Sequence, residues 1–327
     1  MNEDLAATAC WGTQQLDALP GATVDGVFAM WYGKGPGVER STDAIHRQLR
    51  GHPCKWRRAG GLRRRPCRHL DQRPPERPDP RGAVGALALP GGRGQFLRFG
   101  LLGWEMSRFT GHWVRFKCVN ETVEQTATVA LDDAGADIVV PERRPEQGPP
   151  GGVNINPHFF GPGAVEQVVT RYRLPLVHDF VRANGIDRCA RRGARPRVGI
   201  VTAGKGYKDV GRALDLLGLD DDRLAALGVG VWKVGCIWPL EPEGIGAFAA
   251  GAEALLFVED KHPVLEDQAR AILYDAPNRP AIWGKKDGQG NRLFPSDVAI
   301  APEETARALY PAAWRAGPRR RGARRGL

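Results

Sequence analysis

Serine is nearly absent. Only Ser41, Ser107 and Ser296 occur in 327 residues, which leaves no room for the Gly-x-Ser-x-Gly nucleophile elbow of an α/β hydrolase. Six cysteines (Cys10, Cys54, Cys67, Cys118, Cys189, Cys236) are scattered, with no Cys-x-x-Cys pair and no signal peptide ahead of them. They read as thiols of a cytoplasmic protein, and neither a disulfide framework nor an iron–sulfur cluster is expected. No apolar run approaches the roughly 18 residues of a membrane span, so no membrane partner is expected. The seven histidines include no His-x-x-x-His pair. The one mixed arrangement, His52-x-Cys54 with Cys67-x-His69, spaces its ligands too tightly for structural zinc and sits among arginines that repel a dication. No metal site is predicted.

Arginine is abundant and unevenly placed. Lys and Arg number 47 against 37 Asp and Glu, a net charge of +10. Residues 47–94 alone carry twelve Arg and Lys55 against Asp71, Glu76 and Asp79, which equals that whole charge. Residues 315–327 add six Arg and no acid, so the rest of the chain is mildly acidic, at −6. The first block has no Ile, Phe, Tyr, Ser, Thr or Asn and one Val, Val84, while Arg, Pro and Gly make up more than half of it. Such a stretch cannot bury enough apolar surface to offset the entropy of ordering, and disorder is predicted. Its composition is also what out-of-frame translation of a GC-rich gene yields. As an RNA-binding arm it lacks interleaved Tyr or Phe for stacking, with Trp56 alone, so nucleic acid is not the expected partner.

Elsewhere the pattern is that of an α/β protein. Residues 2–16 read as a helix with Asn2 as N-cap and acids in the first turn. Val24–Tyr32 reads as a buried strand running into the side-chain-poor loop Gly33-Lys34-Gly35-Pro36-Gly37, Phe96–Phe109 as a helix and Trp113–Val119 as a strand. A connector with Pro-Gly punctuation at 147–152 leads to an amphipathic stretch, Ala164–Asn184. Strands at Arg197–Thr202, Val229–Val234, Ala254–Glu259 and Pro280–Trp283 then alternate with helices at Tyr207–Leu217, Pro242–Ala250 and Pro263–Tyr274. Strands separated by single helices predict a parallel, doubly wound sheet.

Four places could carry chemistry. Gly33–Gly37 follows a strand and could line a cofactor pocket, although it matches neither the Walker nor the Gly-x-Gly-x-x-Gly spacing. Thr202-Ala203-Gly204-Lys205-Gly206 lies at the carboxyl end of a strand, where α/β sheets often bind ligands; helix capping is the plainer expectation. Glu259-Asp260-Lys261-His262 follows another strand and reads as a solvated strand end. Glu3, a carboxylate in a first helical turn, could be a dipole-complementing cap and no more.

The runs Asn2–Ala9, Asp25-Gly26-Val27-Phe28 with Trp31–Val38, Gly199–Lys205, Trp238–Pro242, Val258–Lys261 with Glu266-Asp267-Gln268, and Gly284-Lys285 together resemble the long fused form of indolepyruvate ferredoxin oxidoreductase. The resemblance covers residues 1–46 and about 96–305, in family order. It implies an α/β chain with an incomplete pyrimidine-type thiamine-binding domain over 1–46 and 96–135. A disordered or frame-shifted insert at 47–95 interrupts this domain. A connector at 136–195, a complete doubly wound, transketolase-C-terminal-like domain at 196–310 and a disordered basic tail at 311–327 follow.

The activity so implied is oxidative decarboxylation of aryl 2-oxo acids, with thiamine diphosphate as cofactor, coenzyme A as acyl acceptor and ferredoxin as electron acceptor. Glu3 looks like the glutamate that hydrogen-bonds the aminopyrimidine ring, and Trp31, Tyr32, Gly33, Lys34 and Gly35 like the neighbouring pocket loop. The family's diphosphate and magnesium module is missing, and Lys286-Asp287-Gly288-Gln289-Gly290-Asn291 only imitates it in a turn. Mg2+ and iron–sulfur clusters are therefore expected in other domains or subunits of a homo-oligomeric enzyme, and the chain is expected to be a fragment inactive alone. A non-enzymatic scaffold and an RNA-binding protein are the competing expectations.

Overall fold

A computed structural model describes residues 2–14, 20–21, 23, 29–48, 70–71, 86–88, 93–119, 124, 126, 128, 137–143, 148, 167–191 and 196–315. The chain divides into two compact units, Met1–Ile186 with Gly235–Glu241, and Asp187–Val234 with Pro242–Leu327. The units part at 186/187, nine residues before the predicted start of the alternating domain at 196.

In the first unit, helix α1 (Glu3–Gly12) begins where the Asn2 side chain accepts hydrogen bonds from the backbone of Asp4 and Leu5. Helices α2 (Gly35–Arg40) and α3 (Thr42–Gln48) follow. Strands β1 (Leu70–Asp71) and β2 (Ala86–Ala88) come next, then helix α4 (Arg93–Thr110) and strand β3 (Val114–Phe116). A π-helical turn, Val168–Arg173, runs into helix α5 (Leu174–Ala183). The sheet order is β1-β3-β2, closed by Cys236–Trp238 (β7, numbered along the chain) antiparallel to β2. One core cluster joins Phe99, Leu102, Met106 and Phe109 of α4 to Val114, Leu176, Phe180 and Cys236. A second joins Ala7, Trp31, Val38, Ile45, Trp113 and Val168. Fully burying each such large side chain is worth roughly 1.5–3 kcal/mol.

The predicted disorder of 47–95 is interrupted by the end of α3 at Gln48, by β1 and β2 and by the first turn of α4, which starts at Arg93; the other residues of that block lie outside the described residues. Of the strand predicted over Val24–Tyr32, residues 24–28 lie outside the described residues and 29–32 make no strand pairing. The loop predicted at Gly33–Gly37 is in part helix, because Pro36 sits where a helix tolerates it best, in the first turn of α2.

In the second unit five strands are ordered β4-β6-β5-β8-β9: Arg188–Arg191, Val229–Val234, Val198–Ala203, Ala254–Val258 and Ala281–Trp283. All pairings are parallel except β4 with β6. Helices α6 (Gly204–Leu216), α7 (Asp221–Leu227), α8 (Pro242–Ala249), α9 (Val264–Ile272) and α10 (Pro302–Arg315) complete the alternation. Val198, Ile200, Val229, Val231, Leu256 and Val258 pack on Val210, Ala213 and Leu214 of α6 and Leu309 of α10. On the other face Phe248 of α8 stacks on Trp232, with ring centroids 5.3 Å apart. Helix α10 carries the chain to Arg315, five residues into the tail predicted to be disordered; residues 316–327 lie outside the described residues.

Candidate functional site

Glu3 and the glycine loop, 28 residues or more apart in sequence, meet in space. The Trp31 indole Nε1 donates to the Glu3 backbone oxygen at 3.1 Å, and the Trp31 ring is buried. Gly37, in α2, lies against the Glu3 side chain: a Cβ there would stand 3.0 Å from Glu3 Cγ and 3.3 Å from Oε1. At Gly33 a Cβ would come within 2.6 Å of the Trp31 ring. The half-buried Glu3 carboxylate takes no hydrogen bond among the described residues, so it is available to a ligand donor. Glycine at both positions lets the backbone approach closely. Gly35 opens α2, while Lys34 is exposed and Tyr32 is 73% exposed, so neither closes on Glu3. Among the residues predicted for this site, the structure thus unites Glu3, Trp31 and Gly33, and adds Gly37.

The second unit's strand order turns back between β5 and β8, the switch point at which open α/β sheets bind ligands. Here that crevice is filled by the protein itself. Lys205 Nζ donates to Asp209 Oδ2 at 2.6 Å and to the Ile300 carbonyl at 3.0 Å, and lies 3.9 Å from Asp260 Oδ2. Asp260 Oδ1 in turn accepts from the Ile300 N–H at 2.7 Å.

Glu259 is half-buried, and its carboxylate accepts from the N–H groups of Leu265 and Glu266 at 2.9 and 3.0 Å, capping α9. Burial pushes its pKa up to about 7 against the opposing pull of those two donors and Lys285. Lys285 Nζ donates to the Glu259 and Pro295 carbonyls, and Glu266 accepts from Arg270 and from the Lys285 N–H. The strand end predicted to be solvated is thus a half-buried capping network at Glu259; Lys261 is exposed and His262 partly so. The Lys286–Asn291 run is a turn in which Asp287 accepts from the N–H groups of Gln289 and Asn291, so its carboxylate is committed locally. Among the described residues, no group of three His, Cys, Asp or Glu side chains is placed to hold a metal.

Three buried basic residues, His112 with Arg173 and, apart from them, Lys233, escape a reading of the sequence. In the first unit His112 follows Gly111, and both of its ring nitrogens are buried without a hydrogen bond among the described residues. Burial, then the charge of Arg173, holds its pKa well below the usual value. Arg173, in the π-helical turn, is itself lowered to about 9 by burial and by Arg143. In the second unit Lys233 of β6 is 2% exposed, and Nζ stands 4.9 Å from the Tyr207 ring centroid. None could be singled out from spacing, because each occupies an ordinary apolar-periodic segment.

Residues 188–323 match the family model of the indolepyruvate oxidoreductase domain. The chain carries an indolepyruvate oxidoreductase-like domain. A curated relative, indolepyruvate oxidoreductase subunit IorA of Thermococcus kodakarensis, is 36% identical over 89 residues, which are 27% of this chain and 13% of that protein. Among solved structures, a 2-oxoglutarate:ferredoxin oxidoreductase from Magnetococcus marinus, with 2-oxoglutarate, coenzyme A and succinyl-CoA bound, superposes with TM-score 0.52 at 12% identity. It covers 95% of this chain and 56% of that one. A split-gene transketolase, described as an inactive β4 tetramer, gives 0.41 at 10% identity, covering 94% and 73%. The fold beneath the indolepyruvate oxidoreductase match is similar to that of the 2-oxoglutarate:ferredoxin oxidoreductase, an α/β fold whose sheet here is mixed with mostly parallel strands. No helix among the described residues is long and apolar enough to cross a membrane.

Proposed function

We propose that the chain supplies part of a thiamine-diphosphate-dependent oxidoreductase that oxidatively decarboxylates aryl 2-oxo acids, indolepyruvate among them. Coenzyme A accepts the acyl group and ferredoxin the electrons. The match of residues 188–323 to the indolepyruvate oxidoreductase domain carries this reading. The meeting of Glu3 with Trp31, Gly33 and Gly37 fits the cofactor's aminopyrimidine ring: an unengaged carboxylate beside a glycine-lined backbone. When bound, thiamine diphosphate supplies the nucleophilic carbon that attacks the 2-oxo group.

This chain's residues bind and orient. Glu3 would hold the aminopyrimidine ring through a hydrogen bond to its carboxylate. Trp31 fixes the backbone of Glu3, and the buried indole keeps water from that side. By the family resemblance, the diphosphate, Mg2+ and iron–sulfur clusters belong to other domains or subunits of the enzyme. The filled crevice between β5 and β8 favours an assembly role for the second unit within it.

Mixing the chain with the remaining enzyme domains, produced separately, is expected to yield ferredoxin reduction dependent on indolepyruvate and coenzyme A. Glu3→Gln is expected to lower that rate by about 10²–10⁴-fold, the usual contribution of a positioned acid–base group. Rates equal to wild type in the variant would remove Glu3 from the site. No turnover in any mixture would remove the enzyme reading itself.

A further inference from the structure

Trp31 holds the backbone of Glu3, so whatever holds Trp31 bears on the candidate site. The Trp31 ring is 3% exposed, and its Nε1–H reaches the Glu3 carbonyl at 3.1 Å. A hydrogen bond from a buried indole keeps its direction only as well as the ring is packed. At one edge the ring meets Gly33, where a Cβ would stand 2.6 Å away. Elsewhere it shares a core cluster with Ala7, Val38, Ile45, Trp113 and Val168, and Trp238 packs against that same cluster.

Trp238 comes from far along the chain. It lies in the Gly235–Glu241 excursion, inside the stretch that matches the indolepyruvate oxidoreductase domain, yet it belongs to the first unit in space. The excursion is anchored on both sides of it. Cys236 is fully buried in the neighbouring cluster, with Met106 and Phe109 of α4. Glu241, 2% exposed, accepts from Arg182 of α5 at 2.6 Å. Between them the backbone of Trp238 pairs with Leu87 of β2. The half-buried Trp238 ring is therefore held in place by contacts that do not involve Trp31 or Glu3. Truncating it would open a space at the cluster that the neighbours fill only in part, and Trp31 would gain room to turn.

We propose that Trp238 is a positioning residue for Glu3: packed on the cluster around Trp31, it keeps the indole N–H on the Glu3 carbonyl and so holds the carboxylate over Gly37. As a statement about catalysis this rests on the proposed role of Glu3. As a statement about the bond between Trp31 and Glu3 it stands by itself.

The test reads that bond directly. The full chain is labelled with 15N-tryptophan, the Trp31 indole signal is assigned from Trp31→Phe, and hydrogen exchange of the indole N–H is followed. Exchange of the α4 backbone N–H groups, read by mass spectrometry, serves as the reference for general loosening. In Trp238→Ala the Trp31 indole is expected to exchange about tenfold faster with α4 unchanged, and Trp238→Phe should restore most of the protection. In the reconstituted enzyme Trp238→Ala should lower kcat by up to about 10²-fold at unchanged KM for indolepyruvate, as expected of a displaced catalytic group. Unchanged Trp31 exchange overturns the proposal, and so does equal acceleration of Trp31 and α4, which would mark a plain loss of stability. A loosened Trp31 with wild-type kcat overturns the step from Trp31 to Glu3. Absence of turnover with the wild-type chain would strike the enzyme reading, while the exchange measurement still decides whether Trp238 holds the bond. If Trp238→Ala does not fold, Trp238→Leu is judged by the same criteria.

Discussion

A half-buried carboxylate that caps a helix should leave its mark on stability against pH. The Glu259 pKa is raised from 4.5 to about 7 in the folded chain. Between those values the folded state holds a proton that the unfolded state has released. Its stabilising contribution is full below about pH 4.5 and falls as pH rises through 7, by about 1.4 kcal/mol per pH unit and about 3 kcal/mol in all. Denaturant melts of Glu259→Gln from pH 4.5 to 8 should show this fall removed, because the amide oxygen still caps α9 without ionising. A variant as pH-dependent as wild type would locate the proton elsewhere. At Gly37, substitution by alanine puts a methyl group 3.0 Å from Glu3 Cγ. A loss of about 1–3 kcal/mol is expected from the overpacking, with weaker thiamine diphosphate binding by the reconstituted enzyme, measurable by isothermal titration. Glu3 and Trp31 could be chosen from sequence as parts of one site. Gly37 as the residue under the carboxylate could not, because that contact requires the helix that Pro36 starts.

Helix caps are the clearest link from sequence to element. Asn2 accepts from the N–H groups of Asp4 and Leu5, and Asp220 accepts from the Arg223 N–H at 2.8 Å at the start of α7. Asn2→Ala and Asp220→Ala should each cost about 1 kcal/mol, read as a shift in urea midpoint at constant slope. The alternating half was legible because strands buried on both faces are continuous apolar runs, as in Ala254–Val258. Three elements were not. Strand β4, Arg188–Arg191, is polar and partly exposed, and only its antiparallel pairing with β6 makes it a strand. Helix α7 is seven residues long and lies between two turns. Helix α10 carries its apolar residues into a segment whose arginines suggested a tail. The short strands β1 and β2 exist by pairing with β3, a tertiary effect that composition cannot show.

On the scale of the whole molecule, charge is separable from fold. The net charge of +10 comes from two arginine-rich segments over a body of −6. Ending the chain at Arg315 removes five arginines and halves the net charge. Elution from a cation exchanger at pH 7 should move to distinctly lower salt; an unchanged position would mean that the tail charges are neutralised within the protein. Deleting residues 47–94 should likewise abolish any salt-dependent shift of RNA if that binding is merely electrostatic. The path of the backbone has a different consequence. Residues Gly235–Glu241 leave the second unit, supply the strand Cys236–Trp238 to the first unit's sheet, and return. During synthesis the first sheet therefore waits for residue 238 while β4, β5 and β6 of the second have already emerged. The two units must mature in overlap, and no single cut in the gene yields either one whole.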